Sequence, residues 1–369
     1  MSSKERVKAA LRHEEPDRVP TGEFAIDYKI IEQVLGHETY YRAKAKEIMA
    51  LWEGRRDEVV ESQKKDLVEF VRQTGIDAVC VNPVPPRNAV ILKPKRLDER
   101  TWEDECGNIL RYSELTEDIM LLQRGEHPER RPPQPPPDGS EWELWDYVVQ
   151  ELGETHFIFA RGVGGVPTVS YFSALGIEQR LLDLADRPEE VAAQKMRAAE
   201  RTGELVRLAL ARGADAVFFG EDYGYNSGPF MSPQCFRQVY FPALKRLCEE
   251  THTAGAPVLF HSCGNNALIL DQMVEAGIDC YQSIQMYEDI AEYKRLYGDR
   301  LALWGGVDMH TLAVGTPEAV RWEARYALRH CAPGGGLILG SSHSLNIGTK
   351  YENYMAMLEV VHQEGWYRA

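Results

Sequence analysis

The run Ala256-Pro257-Val258-Leu259-Phe260-His261-Ser262-Cys263-Gly264-Asn265 decides how the chain is read. Val258–His261 is a short β-rich stretch, and the residues after it turn abruptly polar. With a period of two along an extended chain, His261 and Cys263 fall on the same side. Gly264 then allows a sharp backbone turn. The same form, a short apolar run ending in polar residues, recurs on either side. Working outward, the expected strands are Val19–Phe24, Ala78–Asn82, Phe157–Arg161, Ala216–Gly220, Val258–His261, Asp279–Ile284, Leu301–Gly305 and Leu337–Gly340. Helical patterns lie between them with recognisable starts at Arg187-Pro188-Glu189-Glu190, Ser232-Pro233-Gln234 and Thr316-Pro317-Glu318. Thr316 suits an N-cap and Pro317 the first helical position. Eight β/α alternations in one chain mean a parallel barrel or a large doubly wound sheet.

Two segments stand outside this rhythm. Residues 3–13 read as a short amphipathic helix that Pro16 and Pro20 prevent from continuing. Residues 89–150 interrupt the alternation with a β-hairpin over 101–112, turned at Gly107-Asn108. The Pro-rich stretch 131–137 follows as an extended surface connector, in preference to a peptide-docking motif. Length alone, 369 residues, suggests two domains, but α/β barrels run long as one, so residues 1–369 are expected to form a single domain.

Composition narrows the function. A net charge of -15 argues against a nucleic-acid binder, which needs a basic surface. No apolar run is long enough to span a bilayer and the N-terminus lacks a signal-peptide core, so no membrane association is expected. The seven cysteines are odd in number, irregularly spaced and without a CxxC pair, which suits reduced thiols in the cytoplasm. Gly162-Val163-Gly164-Gly165 and Gly334-Gly335-Gly336 do not have phosphate-fingerprint spacing, and the chain carries no Walker sequence and no GxSxG elbow.

Barrel enzymes place their sites at the C-terminal ends of the strands. The fifth strand ends in His261 and Cys263, an imidazole and a thiolate suited to two zinc ligands; the plainer reading is a buried cysteine beside a hydrogen-bonded histidine. The fourth ends in Glu221-Asp222-Tyr223 and then Tyr225 and Asn226, a polar cluster for proton transfer or substrate binding, or else a helix cap on a solvated rim. His343 stands just beyond the eighth strand, where a third ligand would come from. The seventh leads to Asp308 and His310, the first ends with Glu23 and Phe24 before Asp27, and the third ends with Arg161. These six residues, together with Tyr225 and Asn226, are candidate substrate contacts. Phe24, Tyr28, Phe172, Tyr223 and Tyr225 suit an aromatic substrate, or simply pack the barrel.

Taken in order, Glu15-Pro16-Asp17-Arg18-Val19-Pro20, Gly220-Glu221-Asp222-Tyr223-Gly224, Met231-Ser232-Pro233, Trp304-Gly305-Gly306-Val307-Asp308 and Gly315-Thr316-Pro317-Glu318 resemble the uroporphyrinogen decarboxylase superfamily. His261-Ser262-Cys263-Gly264-Asn265 is similar to the zinc motif of its corrinoid-dependent methyltransferases. The resemblance covers nearly the whole chain and implies one (β/α)8 barrel. It also implies zinc on this chain, cobalamin carried by a partner corrinoid protein, and, by analogy, a homodimer.

Two departures from the family pattern matter. True decarboxylases carry an arginine-rich RQAGR segment after the first strand; here Glu23-Phe24-Ala25-Ile26-Asp27-Tyr28-Lys29 has no arginine, so a tetracarboxylate lacks its cationic partners. The methyltransferases carry a third cysteine ligand six residues before a threonine; six before Thr349 stands His343. Two imidazoles and one thiolate leave a zinc unit of formal charge +1, which favours an oxygen-bound methyl, as in an aryl methyl ether. The resemblance therefore implies transfer of a methyl group from a small methylated substrate to a corrinoid protein, with Glu221, Asp222 and Tyr223 as catalytic residues and His261, Cys263 and His343 as metal ligands. The alternatives are a metal-independent decarboxylase or lyase of a small acid, and a non-catalytic binding barrel.

Overall fold

Seven of the eight expected strands form one parallel sheet in the structure, a computed structural model that describes residues 1–161, 177–285 and 287–367. Gly162-Val163-Gly164-Gly165 and Phe172 lie outside the described residues. The strands are Ala78–Val81, Phe157–Ala160, Ala216–Gly220, Val258–His261, Cys280–Ile284, Ala302–Val307 and Leu337–Ser341, each paired with its neighbour in the chain. The first expected strand, Val19–Phe24, is reduced to two parallel bridges, Thr21 with Leu339 and Gly22 with Ala78. Those bridges join the last strand to the second, and so close the sheet into a (β/α)8 barrel. The strand is short for a local reason. Pro20 has no N–H to give, and the Thr21 N–H goes to the Asp77 carboxylate at 2.8 Å rather than to a strand neighbour.

The barrel interior follows the two-residue period. Cys80, Phe159, Phe218, Leu259, Trp304 and Ile338 share one buried cluster inside the barrel. Their neighbours Val79, Ile158, Val217, Phe260, Leu303 and Leu339 belong to the larger core between sheet and helices. The N-terminal helix Ser3–Leu11, started by a Ser2/Glu5 capping box, pushes Val7 and Ala10 into the inner cluster and plugs that end of the barrel. The expected helix starts are in place. Ser232 caps Pro233–Val239, Thr316 caps Pro317–Cys331, and Pro188–Glu200 begins at its proline.

The insertion is larger than the expected hairpin. Thr101–Glu103 and Ile109–Ser113 do pair antiparallel, but Lys95–Arg96 and Asp118–Gln123 extend them to a four-stranded sheet. Asp104 fixes the turn by accepting the Cys106 and Asn108 N–H groups, both at 2.9 Å. Lys95–Arg96 is two exposed residues, and Met120, Leu121 and Leu122 stand exposed on the outer strand, so neither shows the alternation that marks a half-buried strand. Among the described residues, no helix is long and apolar enough to cross a membrane.

Candidate functional site

The two-residue period sorts the candidate residues before any contact is considered. Leu259 faces the barrel interior, so His261 does too; Phe218 faces in, so Asp222 follows it and Glu221 and Tyr223 turn outward. The contacts agree. Tyr223 is buried among Phe236, Tyr240 and Phe260 behind the sheet. Glu221 is ion-paired with Lys195 of the helix Pro188–Glu200, and burial raises its pKa against that lysine's pull. Asp222 alone of the three enters the mouth of the barrel. Its Oδ1 accepts the Cys263 N–H at 2.9 Å and stands 3.4 Å from His261 Nε2.

His261, Cys263 and His343 converge there. One ligand atom from each lies within 4.8 Å of the others, the group among the described residues with the right donors for a metal ion. Zinc bonds of about 2.0–2.3 Å set tetrahedral ligand atoms roughly 3.3–3.8 Å apart. His261 Nε2 and Cys263 Sγ, 3.2 Å apart, are already near that spacing, and the remaining gap is within the reach of side-chain rotation. The donor set, two imidazoles and a thiol with no lysine among them, fits zinc. Both imidazoles have their other nitrogen fixed. His261 Nδ1 bonds Gln282 Oε1, and His343 Nδ1 accepts the Ser344 N–H at 2.7 Å, which leaves each Nε2 for the site.

Electrostatics mark the spot as a place for positive charge. Burial opposes protonation of His261, yet Cys263 and Asp222 outweigh it and push its pKa up to about 10. A proton there occupies the position a metal cation would take. His343 is driven the other way, to about 4, by burial and by His261, with Arg161 and Arg42 adding to the effect against Asp222. Asp222 is held below the usual carboxylate range: burial works against ionisation, but His261 and the Cys263 N–H prevail.

The loop that carries Cys263 is held by residues the sequence did not single out. Asn266, fully buried, directs its amide to the carbonyls of Ser262, Cys263 and Gly264 at 3.1–3.2 Å. Glu288 accepts the Asn266 N–H at 3.4 Å and the Tyr293 hydroxyl at 2.8 Å. Gln282 was within reach of the sequence, because it lies two residues after the inward-facing Cys280. Asn266, Glu288, Lys195 and Arg42 sit on loops or on a helix where no period points to the mouth.

The other candidate residues divide. Phe24 packs against both imidazoles, with ring centroids 4.9 Å from His261 and 5.4 Å from His343. Arg161 lies over the Phe24 ring at 5.2 Å. Asp27 is buried and shared by Arg42 and Lys44. Glu23 points outward into the core, where burial raises its pKa to about 8 against two hydrogen bonds from Ser341. Asp308 caps the helix Met309–Val314 through the His310 N–H. His310, Tyr225 and Asn226 are exposed and are not brought to the three ligands; Tyr225 stacks on Phe230. Tyr28 donates to Glu117 of the inserted sheet, apart from the mouth.

Comparison with known proteins gives the family of the chain. A uroporphyrinogen decarboxylase of Anaeromyxobacter dehalogenans is 34% identical over 127 residues, 34% of this chain and 35% of its own length. A methylated-thiol–coenzyme M methyltransferase of Methanosarcina mazei is 27% identical over 153 residues, 41% and 38% of the two chains. A methylcobamide:CoM methyltransferase of Methanosarcina barkeri is 28% identical over 147 residues, 40% and 41%. The chain thus spans well under half the length of these curated relatives. A solved methyltransferase from Methanosarcina mazei superposes with a TM-score of 0.64 at 17% identity, over 98% of this chain and 99% of that one, and so shares the barrel fold. The family model described as uroporphyrinogen decarboxylase (URO-D) matches residues 145–364, more than half of the chain, and the chain belongs to that family.

Proposed function

We propose that this protein is a zinc-dependent methyltransferase that passes a methyl group from a small O-methylated substrate, an aryl methyl ether foremost, to a corrinoid protein. The observation that carries the reading is the convergence of His261, Cys263 and His343 at the C-terminal mouth of the barrel. Relatives named as methyltransferases, one of them for methylcobamide, support the reaction class. Zinc held by the three ligands supplies Lewis acidity toward the heteroatom that carries the methyl group.

The chain's own residues set up that chemistry. Gln282 fixes the His261 tautomer, and Asp222 holds both His261 and the Cys263 backbone. Asp222 stays ionised, so it orients and does not supply a proton. Glu221, turned behind the sheet and paired with Lys195, supports the fourth strand rather than touching substrate. Phe24, buried and stacked on Phe218, walls the site beside both imidazoles. The preference for oxygen follows from His343. A ligand set with one thiolate leaves the metal unit positively charged, and a positive unit favours an anionic oxygen leaving group.

The test supplies the protein with zinc, a reduced corrinoid partner and methoxyaromatics, alcohols, methylamines or methyl thiols, and follows methylation of the cobalt by absorbance. Turnover of methoxyaromatics is expected, with His343→Cys keeping zinc and losing rate. Activity confined to thiols or amines would remove the oxygen preference and leave the methyltransferase class standing. Release of carbon dioxide from a carboxylated substrate without zinc would assign the decarboxylase alternative instead.

A further inference from the structure

Arg161 is the exception to the pairing of charges around the barrel mouth. It follows the strand Phe157–Ala160 and continues the inward period of Phe157 and Phe159. Its backbone N–H completes the sheet on Val81 O at 3.0 Å. Its guanidinium lies over the Phe24 ring at 5.2 Å, and among the described residues it makes no side-chain hydrogen bond and no ion pair. Neighbouring cations have partners: Arg42 and Lys44 share Asp27. The inward carboxylate closest to the ligands, Asp222, is taken by His261 and the Cys263 N–H. Arg42 opposes the charge of Arg161, and Asp222 supports it through space without forming an ion pair with it. Among the described residues, Arg161 thus has no ion-pair partner at the barrel mouth, in a chain of net charge -15. Arg161 is half-buried, and a half-buried guanidinium without a partner carries a desolvation cost that a ligand's counter-charge would offset.

Phe24 also fixes where that counter-charge would sit. The same ring lies 5.2 Å from the guanidinium and 4.9 Å from the His261 ring, so these two spans bound the separation of Arg161 and His261 at about 10 Å, a range one small substrate bridges. The Phe24 ring lies against the guanidinium without using a hydrogen bond, and a guanidinium suits a planar bidentate acceptor.

We propose that Arg161 is the anchor for an oxyanion on the substrate, a carboxylate foremost, carried at the end away from the methyl-bearing atom. The part of this that concerns the methyl group rests on the function proposed above; the anion site itself does not. A single arginine fits one anionic group, unlike the several that a porphyrinogen carries.

The test is calorimetric titration of the zinc-loaded full chain, with no corrinoid partner present. The probes are para-methoxybenzoate, its neutral methyl ester, para-methoxybenzenesulfonate and inorganic phosphate. The acid is expected to bind about tenfold or more tightly than the ester. Arg161→Met should abolish that preference and Arg161→Lys should keep part of it, with zinc content unchanged in both. Sulfonate binding beside the carboxylate supports the site as well. Equal binding of acid and ester, binding of neither, binding of phosphate alone, or an acid preference that survives in folded Arg161→Met would each overturn the proposal. If Arg161→Met does not fold, the acid-to-ester ratio of the wild type decides. An intact acid preference without any methyl transfer counts against the proposed function and not against the anion site.

Discussion

At the scale of single residues, the candidate site depends on groups whose charge the fold has moved. Glu288 is the clearest case outside the ligands. Burial raises its pKa to about 7, against hydrogen bonds from Tyr293 and from the N–H groups of Gln285 and Asn266. The folded chain therefore keeps a proton that the unfolded chain loses near 4.5, and between those values the native state binds more protons than the unfolded one. Stability from this group is complete below about 4.5, falls as pH rises toward 7 and is flat above it. Glu288→Gln removes the titration and keeps the shape. In urea melts, the stability of the wild type relative to Glu288→Gln should decline by roughly 3 kcal/mol between the two ends of that window. Parallel pH profiles for the two proteins would show that Glu288 does not titrate with folding. Because Glu288 supports Asn266, and Asn266 gathers the Ser262, Cys263 and Gly264 carbonyls, the same measurement reports on the loop that presents Cys263.

At the scale of elements, the Cys263 loop and the loop after the fourth strand are zipped together. Gly224 N–H bonds Cys263 O at 3.2 Å, and Asn265 N–H bonds Tyr225 O at 2.9 Å. The approach is so close that a Cβ on Gly264 would lie 2.0 Å from the Gly224 carbonyl carbon, and Gly264 has φ +95. Gly264→Ala should cost about 1–3 kcal/mol and weaken zinc binding, since backbone cannot yield as a side chain does. Gly54→Ala is the control. Gly54 has φ +75 with nothing within 4 Å of its Cβ position, so it isolates the backbone strain. If calorimetric melting shifts are the same for both variants, and zinc affinity too, the loop contact has no part in the site. How far these elements could be read in advance depended on period. Seven strands stand out in the sequence as short apolar runs ending in polar residues, and the ends of Ala216–Gly220 and Val258–His261 match residue for residue. The first strand was overestimated because its backbone partners are settled by Pro20 and Asp77, a contact between distant segments. The Glu221-Asp222-Tyr223 block reads as one cluster in sequence, but alternate residues of a strand face opposite ways, and the fold separates it. Lys195 and Arg42 carried no signal, since their neighbours come from elsewhere in the chain.

At the scale of the whole molecule, the barrel has a thin seam and the candidate ligands lie on both sides of the mouth above it. Among the described residues, the first strand adds the Thr21 and Gly22 bridges between the last strand and Ala78, followed by the Ile26–Leu345 bridge beyond it, and Trp304 strengthens them by donating its indole N–H to Gly22 O at 2.9 Å. Two ligands come from the fifth strand's end and the third from the segment after Leu337–Ser341, which is one wall of that seam. A cation joining them ties the seam's outer wall to the middle of the sheet, and an ion that binds the folded but not the unfolded chain stabilises it by mass action. Zinc at a hundredfold excess over its dissociation constant should therefore add about 2.7 kcal/mol to the folded state and raise the melting temperature by several degrees. Chelator should reverse the shift. Cys263→Ala should lose most of the increment. His343→Ala should keep weak binding through His261 and Cys263, and lose the added amide protection of residues 343–346 that hydrogen exchange should show in the zinc-loaded wild type. The residue-specific pattern matters more than the size of the shift, because surface carboxylates of so acidic a chain also take up divalent ions. An equal zinc-induced shift in wild type and Cys263→Ala would mean that the ion binds elsewhere, and the proposed ligand set would fall with it.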